Sequence, residues 1–384
     1  MPHTHHSPPR AAFLFLLTFT LAACAIVSPG IADPTATPIS QPIIPTVDTL
    51  PTATAIAPTE SPPPTPVPAS IGFVGRVSSA PPGSITALSL EGAQVAAATR
   101  SMLLDVTDID AFDSPDPLGP IRFVADHGPL VIVVAGSELA EATHAVAREY
   151  PAIKFVGVDQ PRPERGQPAV DSLANYFVIG EPGNRPDEEA FMAGALAGLV
   201  TQERKVGVIV TAGTLEGRLY RNGFLHGLRY TCGDCELTAI ELDPADTAAG
   251  ERAAKQLKNA RLDVMFAASG PAGESAVEAG AALGMWVIGS GWDHAKTVPS
   301  GAEFVLASVV RRPDLSLPAL IDSLLAQGSA PQTPFALAQG NLSFAETLGP
   351  DVSPGIIAIL GSTMNQLAEG ALDTGVDLTT GEEK

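Results

Sequence analysis

Between residues 175 and 293, short apolar runs alternate with longer stretches whose apolar positions recur at helical spacing. The runs at 206–210, 264–268 and 286–289 have the length of strands and no strict two-residue alternation. That pattern predicts strands buried on both faces. Strand–helix–strand repetition then predicts a parallel sheet covered by helices on either side. Ligands of such sheets sit beyond the carboxyl ends of the strands. Here those ends are Thr211-Ala212-Gly213, Ser269-Gly270-Pro271 and Ser290-Gly291-Trp292-Asp293. They are expected to form one wall of a ligand cleft.

The same alternation runs upstream. It predicts strands at 71–75, 103–106, 130–135 and 154–159, with helices at 84–102 and 138–150 and a loop with a short helix at 117–126. Ser84 is placed to cap the first helix. Residues 175–179 lead out of this first lobe, and a helix at 186–200 opens on three acids, as helix N-termini prefer. Its Asp187-Glu188 pair reads as a solvated helix start. Past residue 290 the pattern predicts a strand at 303–310 crossing back, a helix at 314–327, a closing strand pair within 335–344 and a last helix at 354–370. The expected fold is α/β, with two Rossmann-like lobes. Lobe 1 is expected over about 70–178 plus 305–334, and lobe 2 over about 180–300 plus 340–370. Crossings near 175–180, 290–308 and 335–344 would supply the three hinge strands of a clamshell.

The pattern of the N-terminal stretch, residues 1–69, is different. Arg10 precedes an apolar run at 11–23, too short for a membrane-spanning helix but suited to a signal-peptide core. The run ends in Leu21-Ala22-Ala23-Cys24, the form of a bacterial lipobox, so residues 1–23 read as a lipoprotein signal peptide with Cys24 as the lipidation site. An acylated Cys24 holds the chain on the extracytoplasmic face of the cell membrane. Residues 24–69 form a tether dominated by Pro, Thr, Ala and Ser. Proline removes backbone donors and favours polyproline II, so this stretch forms no helix or sheet. Its Pro- and Thr-rich part from Ser28 to Ala69, about 40 residues, reaches on the order of 100 Å when extended. The domain that does the work is therefore 70–384.

Charge narrows the partners. The balance of 22 basic and 42 acidic residues gives a net −20, which repels phosphate backbones and argues against nucleic acid. His127, His144 and His226 have no metal-ligand spacing, and no second ligand pair accompanies Cys232 and Cys235. No organic cofactor or metal is implied. Neither G-x-S-x-G nor H-E-x-x-H occurs, so no catalytic residue is nominated. Cys232 and Cys235 lie just past the helix ending near Tyr230. In an exported chain they read as a structural disulfide, whereas a redox-active C-x-x-C wants its first Cys at a helix N-terminus.

Several stretches taken together resemble the basic membrane protein family, the substrate-binding lipoproteins of ABC importers that include purine-nucleoside receptors. They are LVIVVAGSELAEATHAVAREYPAIKFVGVDQ, EAFMAGALAGL, KVGVIVTAGTLEGRLYRNGFLHGLRY, FAASGPAG, VIGSGWD and VLASVVR, the last resembling the family's T-S-x-x-K strand. The resemblance covers about 300 residues, from Ile71 to Gly370. It implies a type I periplasmic-binding fold, a nucleoside-like small solute between the lobes and ABC permease subunits as partners. A ligand sensor of the same fold, signalling to a membrane partner, is the alternative. The family's D-x-S-F-N motif falls on Pro82, Gly83, Ser84, Ile85 and Thr86, so its acid, ring and amide are all replaced. Its G-x-D-x-D element becomes Gly289-Ser290-Gly291-Trp292-Asp293, and its Lys becomes Arg311.

Six residues are candidate ligand contacts. Trp292 either packs under its neighbours or offers a stacking face. Asp293 accepts from ligand hydroxyls or caps the segment at 294–296. Ser137 faces the cleft at a helix N-terminus or simply caps it. Gly270, with Gly273, lets the backbone approach a ligand or merely makes a strand-to-helix turn. Tyr220 stands where the family has an aromatic residue, and serves ligand or core. Arg311 binds an anionic or carbonyl group, or pairs with an acid at the hinge.

Overall fold

The structure is a computed structural model that describes residues 68–112, 116–160, 173–180 and 183–384. The signal peptide, Cys24, nearly all of the tether and the loop at 161–172 lie outside the described residues. The rest of the chain folds as one compact unit holding two parallel sheets.

The first lobe runs β1 (Ser70–Gly75), α1 (Ile85–Thr99), β2 (Leu103–Asp108), α2 (Leu118–Asp126), β3 (Val131–Ala135), α3 (Ala140–Glu149), β4 (Lys154–Val158) and β5 (Tyr176–Ile179). Its five strands lie in the order β2-β1-β3-β4-β5, all parallel. Neighbouring residues of β1 serve opposite faces. Phe73 packs with Ala93, Ala96 and Leu317 on one side, while Val74 packs with Ile121, Val124 and Val146 on the other. A strand covered on both faces has no polar side to show, which is why its sequence lacks alternation.

The second lobe runs α4 (Pro186–Val200), β6 (Lys205–Thr211), α5 (Leu215–Thr231), β7 (Glu236–Leu242), α6 (Thr247–Asn259), β8 (Val264–Ala268), α7 (Gly270–Ala282), β9 (Trp286–Ser290) and β10 (Val305–Arg311). The chain then returns to the first lobe for α8 (Pro313–Gln327), and comes back for β11 (Leu342–Phe344) and α9 (Pro354–Ala368). The six-stranded sheet has the order β11-β10-β9-β8-β6-β7, with only β11 antiparallel. The small apolar face of α4 packs tightly on α5. A Cβ on Gly194 would meet the Phe224 carbonyl oxygen at 2.1 Å, and one on Gly227 would meet that of Phe191 at 2.0 Å. Cys232 and Cys235 are joined just after α5, with Cα atoms 5.4 Å apart.

Two expectations, one about lobe membership and one about a strand pair, are corrected. Residues 305–311 pair with β9 and β11 in the second sheet, not the first. The crossing expected at 290–308 therefore falls later, at Arg311-Arg312-Pro313, and only α8 returns to lobe 1, where Leu317, Ile321 and Leu324 join its core. A strand and the crossing that follows it look alike in an apolar pattern, so the boundary slid by one element. The stretch at 335–344 holds a 3₁₀ turn and β11 rather than a strand pair.

The three crossings lie side by side. The Gly180 N–H donates to the Thr333 carbonyl at 2.9 Å, and the Arg185 N–H to that of Phe335 at 2.9 Å. The Arg312 N–H reaches the Asn341 carbonyl at 2.8 Å. The Asn341 side chain accepts from the Ala336 N–H at 3.0 Å and donates to the Pro334 carbonyl at 3.0 Å. The hinge is thus a hydrogen-bonded strap rather than three loose linkers.

Candidate functional site

A cavity of about 210 Å³ opens where the strand ends of the two lobes meet. The second lobe contributes Thr211 at the end of β6, Ser269 after β8, Ser290, Gly291 and Trp292 around the end of β9, and Arg311 at the end of β10. Parallel strands bring all these ends to one edge. The first lobe contributes Ile85 and Asp159. Asp159 sits just past β4 with φ +56, and its N–H bonds to the Ile179 carbonyl at 2.9 Å. A left-handed conformation is uncommon outside glycine, and Asp is among the residues that tolerate it.

Arg311 occupies the centre. Its Nη1 donates to Asp159 Oδ1 at 2.8 Å, across the cleft. Its Nη2 reaches Glu216 Oε1 at 3.4 Å and the Tyr220 hydroxyl at 3.3 Å, and its Nε lies 3.6 Å from Glu189 Oε2. The guanidinium also lies over the Phe335 ring, 5.8 Å from its centroid. Glu189 is buried at the first turn of α4 and accepts hydrogen bonds from Tyr220 at 2.9 Å and Ser290 at 2.5 Å. Burial pushes the Glu189 carboxyl above its ordinary range, against the pull of Arg311. Burial and the Glu189 charge push the Tyr220 phenol well up, so it remains a donor. The neighbouring anions hold Arg311 protonated despite burial.

The sequence candidates divide. Tyr220, Gly270, Trp292 and Arg311 line the cavity. Gly270 opens α7 at φ +51, a conformation that favours glycine. The Trp292 indole stacks on His294 at 4.8 Å and donates to Thr297 at 3.2 Å, with part of its surface in the cavity. Trp292 is therefore packed against its neighbours, and it also forms part of the cavity lining. Ser137 is exposed after β3 and lies outside the cavity lining. Asp293 also lies outside it, at 2% exposure. Its N–H donates to the Pro82 carbonyl at 3.1 Å, and its Oδ2 takes Thr347 at 2.6 Å and Lys296 at 3.0 Å. Asp293 clasps the first lobe's Pro82–Gly83 turn, and of the five positions that replace the family's D-x-S-F-N motif only Ile85 reaches the cavity.

Asp187, Glu188 and Glu189 are each at most 2% exposed, so the solvated helix start is overturned. Arg185 pairs with Asp187 and Glu188 at 2.7 Å each. Glu188 accepts from the Leu337 N–H at 2.8 Å in the third crossing, and Asp187 from Thr374 at 2.5 Å in the C-terminal tail. A usable signal was present: a helix apolar on every face is buried all round, and acids in its first turn are buried with it. Asp159, Glu216 and Glu274 gave no such local signal, because only the fold brings them to the cavity.

Comparisons with known proteins agree with this architecture. The profile of the Bmp family, described as ABC transporter substrate-binding protein PnrA-like, matches residues 98–329. Basic membrane protein A1 of Borrelia garinii subsp. bavariensis is 25% identical over 189 residues, covering 48% of this chain and 53% of that protein. A CD4+ T-cell-stimulating antigen of Listeria monocytogenes is 26% identical over 197 residues, covering 47% and 52%. The chain thus spans about half the length of the curated relatives it matches. Among solved structures, a transcriptional activator of the comK gene from Bacillus halodurans superposes with TM-score 0.61 at 17% identity, over 79% of this chain and 99% of that one. An ABC transporter solute-binding protein from Conexibacter woesei gives 0.59 at 16% identity, over 79% and 98%. At these identities the two structures speak for the fold alone. With the family profile covering more than half of it and two α/β lobes joined by three crossings, the chain belongs to the Bmp family of ABC transporter substrate-binding proteins.

Proposed function

We propose that the protein is an extracytoplasmic receptor, anchored through Cys24, that captures a small polar, nucleoside-like solute between its lobes and presents it to an ABC permease. The observation that carries this reading is the cavity at the lobe junction, lined by Asp159 and Ile85 from one lobe and by polar strand ends from the other. A ligand stabilises closure of a clamshell by touching both halves. Tyr220 and Trp292 supply aromatic surface, and Ser269, Thr211 and Asp159 supply groups that meet hydroxyls. The apolar leader ending in Leu21-Ala22-Ala23-Cys24 supports the anchor. Among the described residues no helix is long and apolar enough to cross a membrane.

Thermal melting of the full chain in detergent, with nucleosides, bases, sugars and amino acids, tests the receptor reading. A true ligand at about 100 times its Kd adds about 2.7 kcal/mol of stability, and Trp292→Ala should weaken that shift. Stabilisation by no small solute would overturn the proposal. Metabolic labelling with a clickable fatty acid tests the anchor: label should enter the wild type and be lost in Cys24→Ala, together with membrane association.

A further inference from the structure

The charge of the cavity is unbalanced. Asp159, Glu189, Glu216 and Glu274 all line it, and Arg311 is the one Arg or Lys among its lining residues. Arg311 is shared among three of the four carboxylates, at 2.8, 3.4 and 3.6 Å. Glu274, on the first turns of α7, has no ion pair or hydrogen bond among the described residues. Burial and the like charge of Glu278 both push its carboxyl up. The N-termini of α4, α5 and α7 each offer about half a positive charge, which softens the excess without cancelling it. The only imidazole in the lining, His294, is buried with its pKa lowered to about 4, and stays neutral at physiological pH.

A partly enclosed site with surplus carboxylate repels phosphates and carboxylates and holds a cation. The Trp292 indole in the cavity lining suits a cation as well, since aromatic faces attract positive charge. We infer that the solute taken by this cleft carries a protonated amine, with Glu274 as its principal partner and Glu216 supporting it. The inference rests on the receptor reading above and narrows it from a polar solute to a cationic one. A net negative cavity needs no partner beyond the ligand itself, because the missing charge arrives with the solute.

The test is calorimetric titration of the full chain in detergent at pH 7 with matched pairs that differ in one amine. The pairs are 5′-amino-5′-deoxyadenosine with adenosine, glucosamine with glucose, and putrescine with butane-1,4-diol. At least one amine should bind ten-fold or more tightly than its neutral partner, and less tightly as salt is raised. Glu274→Gln should weaken that amine about ten-fold and Glu216→Gln several-fold, with melting temperatures of the ligand-free variants near that of the wild type. Equal or tighter binding of a neutral partner, or no effect of Glu274→Gln, would overturn the inference while leaving the receptor reading in place. Binding of none of the six compounds would also overturn the inference, and the receptor reading falls with it only if the thermal melts show no stabilising solute either.

Discussion

Arg311 is held by three carboxylates and a phenol at the junction of two lobes, and its worth follows from that setting. Removing one partner of a buried pair leaves the other charge without compensation. Arg311→Met should therefore lower stability by about 3 kcal/mol in urea unfolding. Adding Glu189→Gln to that variant should recover more than half of the loss, since the buried charge is then gone too. Arg311→Lys should not restore the wild type, because an ammonium cannot meet separate acceptors in the guanidinium's planar fork. His294 makes a pH prediction. Its pKa falls from 6.5 to about 4 through burial against Gly289, where a Cβ would lie 2.2 Å from the ring. The folded state resists the proton that the unfolded state accepts, so stability is full above pH 6.5 and is lost as pH falls towards 4. The loss should reach about 3 kcal/mol and should shrink in His294→Gln, as thermal melts across that range would show.

At the scale of elements, the α4–α5 contact is the most demanding. Gly194→Ala drives a methyl into the Phe224 carbonyl and should cost about 2 kcal/mol or more, with the two helices pushed apart. Gly361→Ala, in α9 with nothing within 4 Å, should instead stabilise by about 0.5–1 kcal/mol. The pair of variants separates close packing from helix propensity in one set of melts. The disulfide closes a loop of only a few residues after α5, with a sequence separation of 3. Loop-closure entropy then limits its contribution to about 2 kcal/mol, so a Cys232→Ala/Cys235→Ala chain should melt lower yet remain folded.

Across the whole molecule, the Asp159–Arg311 ion pair and the Asp293–Pro82 hydrogen bond cross from one lobe to the other. Asp159→Asn weakens the first, so the ligand-free chain should populate a more open form. Small-angle scattering should report a larger radius of gyration for that variant, and an unchanged radius would show that the ion pair does not set the lobe spacing. The hydrogen-bonded strap formed by Gly180, Arg185, Phe335 and Asn341 fixes where the opening can occur.

The amino-acid sequence by itself determined the lobes. Buried parallel strands must be apolar throughout, and the helices between them must carry a periodic face, so both patterns survive in one dimension. It also determined that strand ends such as Ser269-Gly270 and Ser290-Gly291-Trp292 meet at one edge, because parallel strands end on the same side. The tertiary structure alone decided which lobe owns β10, since pairing partners are not written in a strand's own residues. It decided that Asp293 clasps a turn while Glu189 enters the cavity: the apolar faces of α4 signal that Glu189 is buried, but not what it meets there. It also decided the charge of the site: Asp159, Glu216 and Glu274 come from three segments far apart in the chain, and only folding brings them to one cavity.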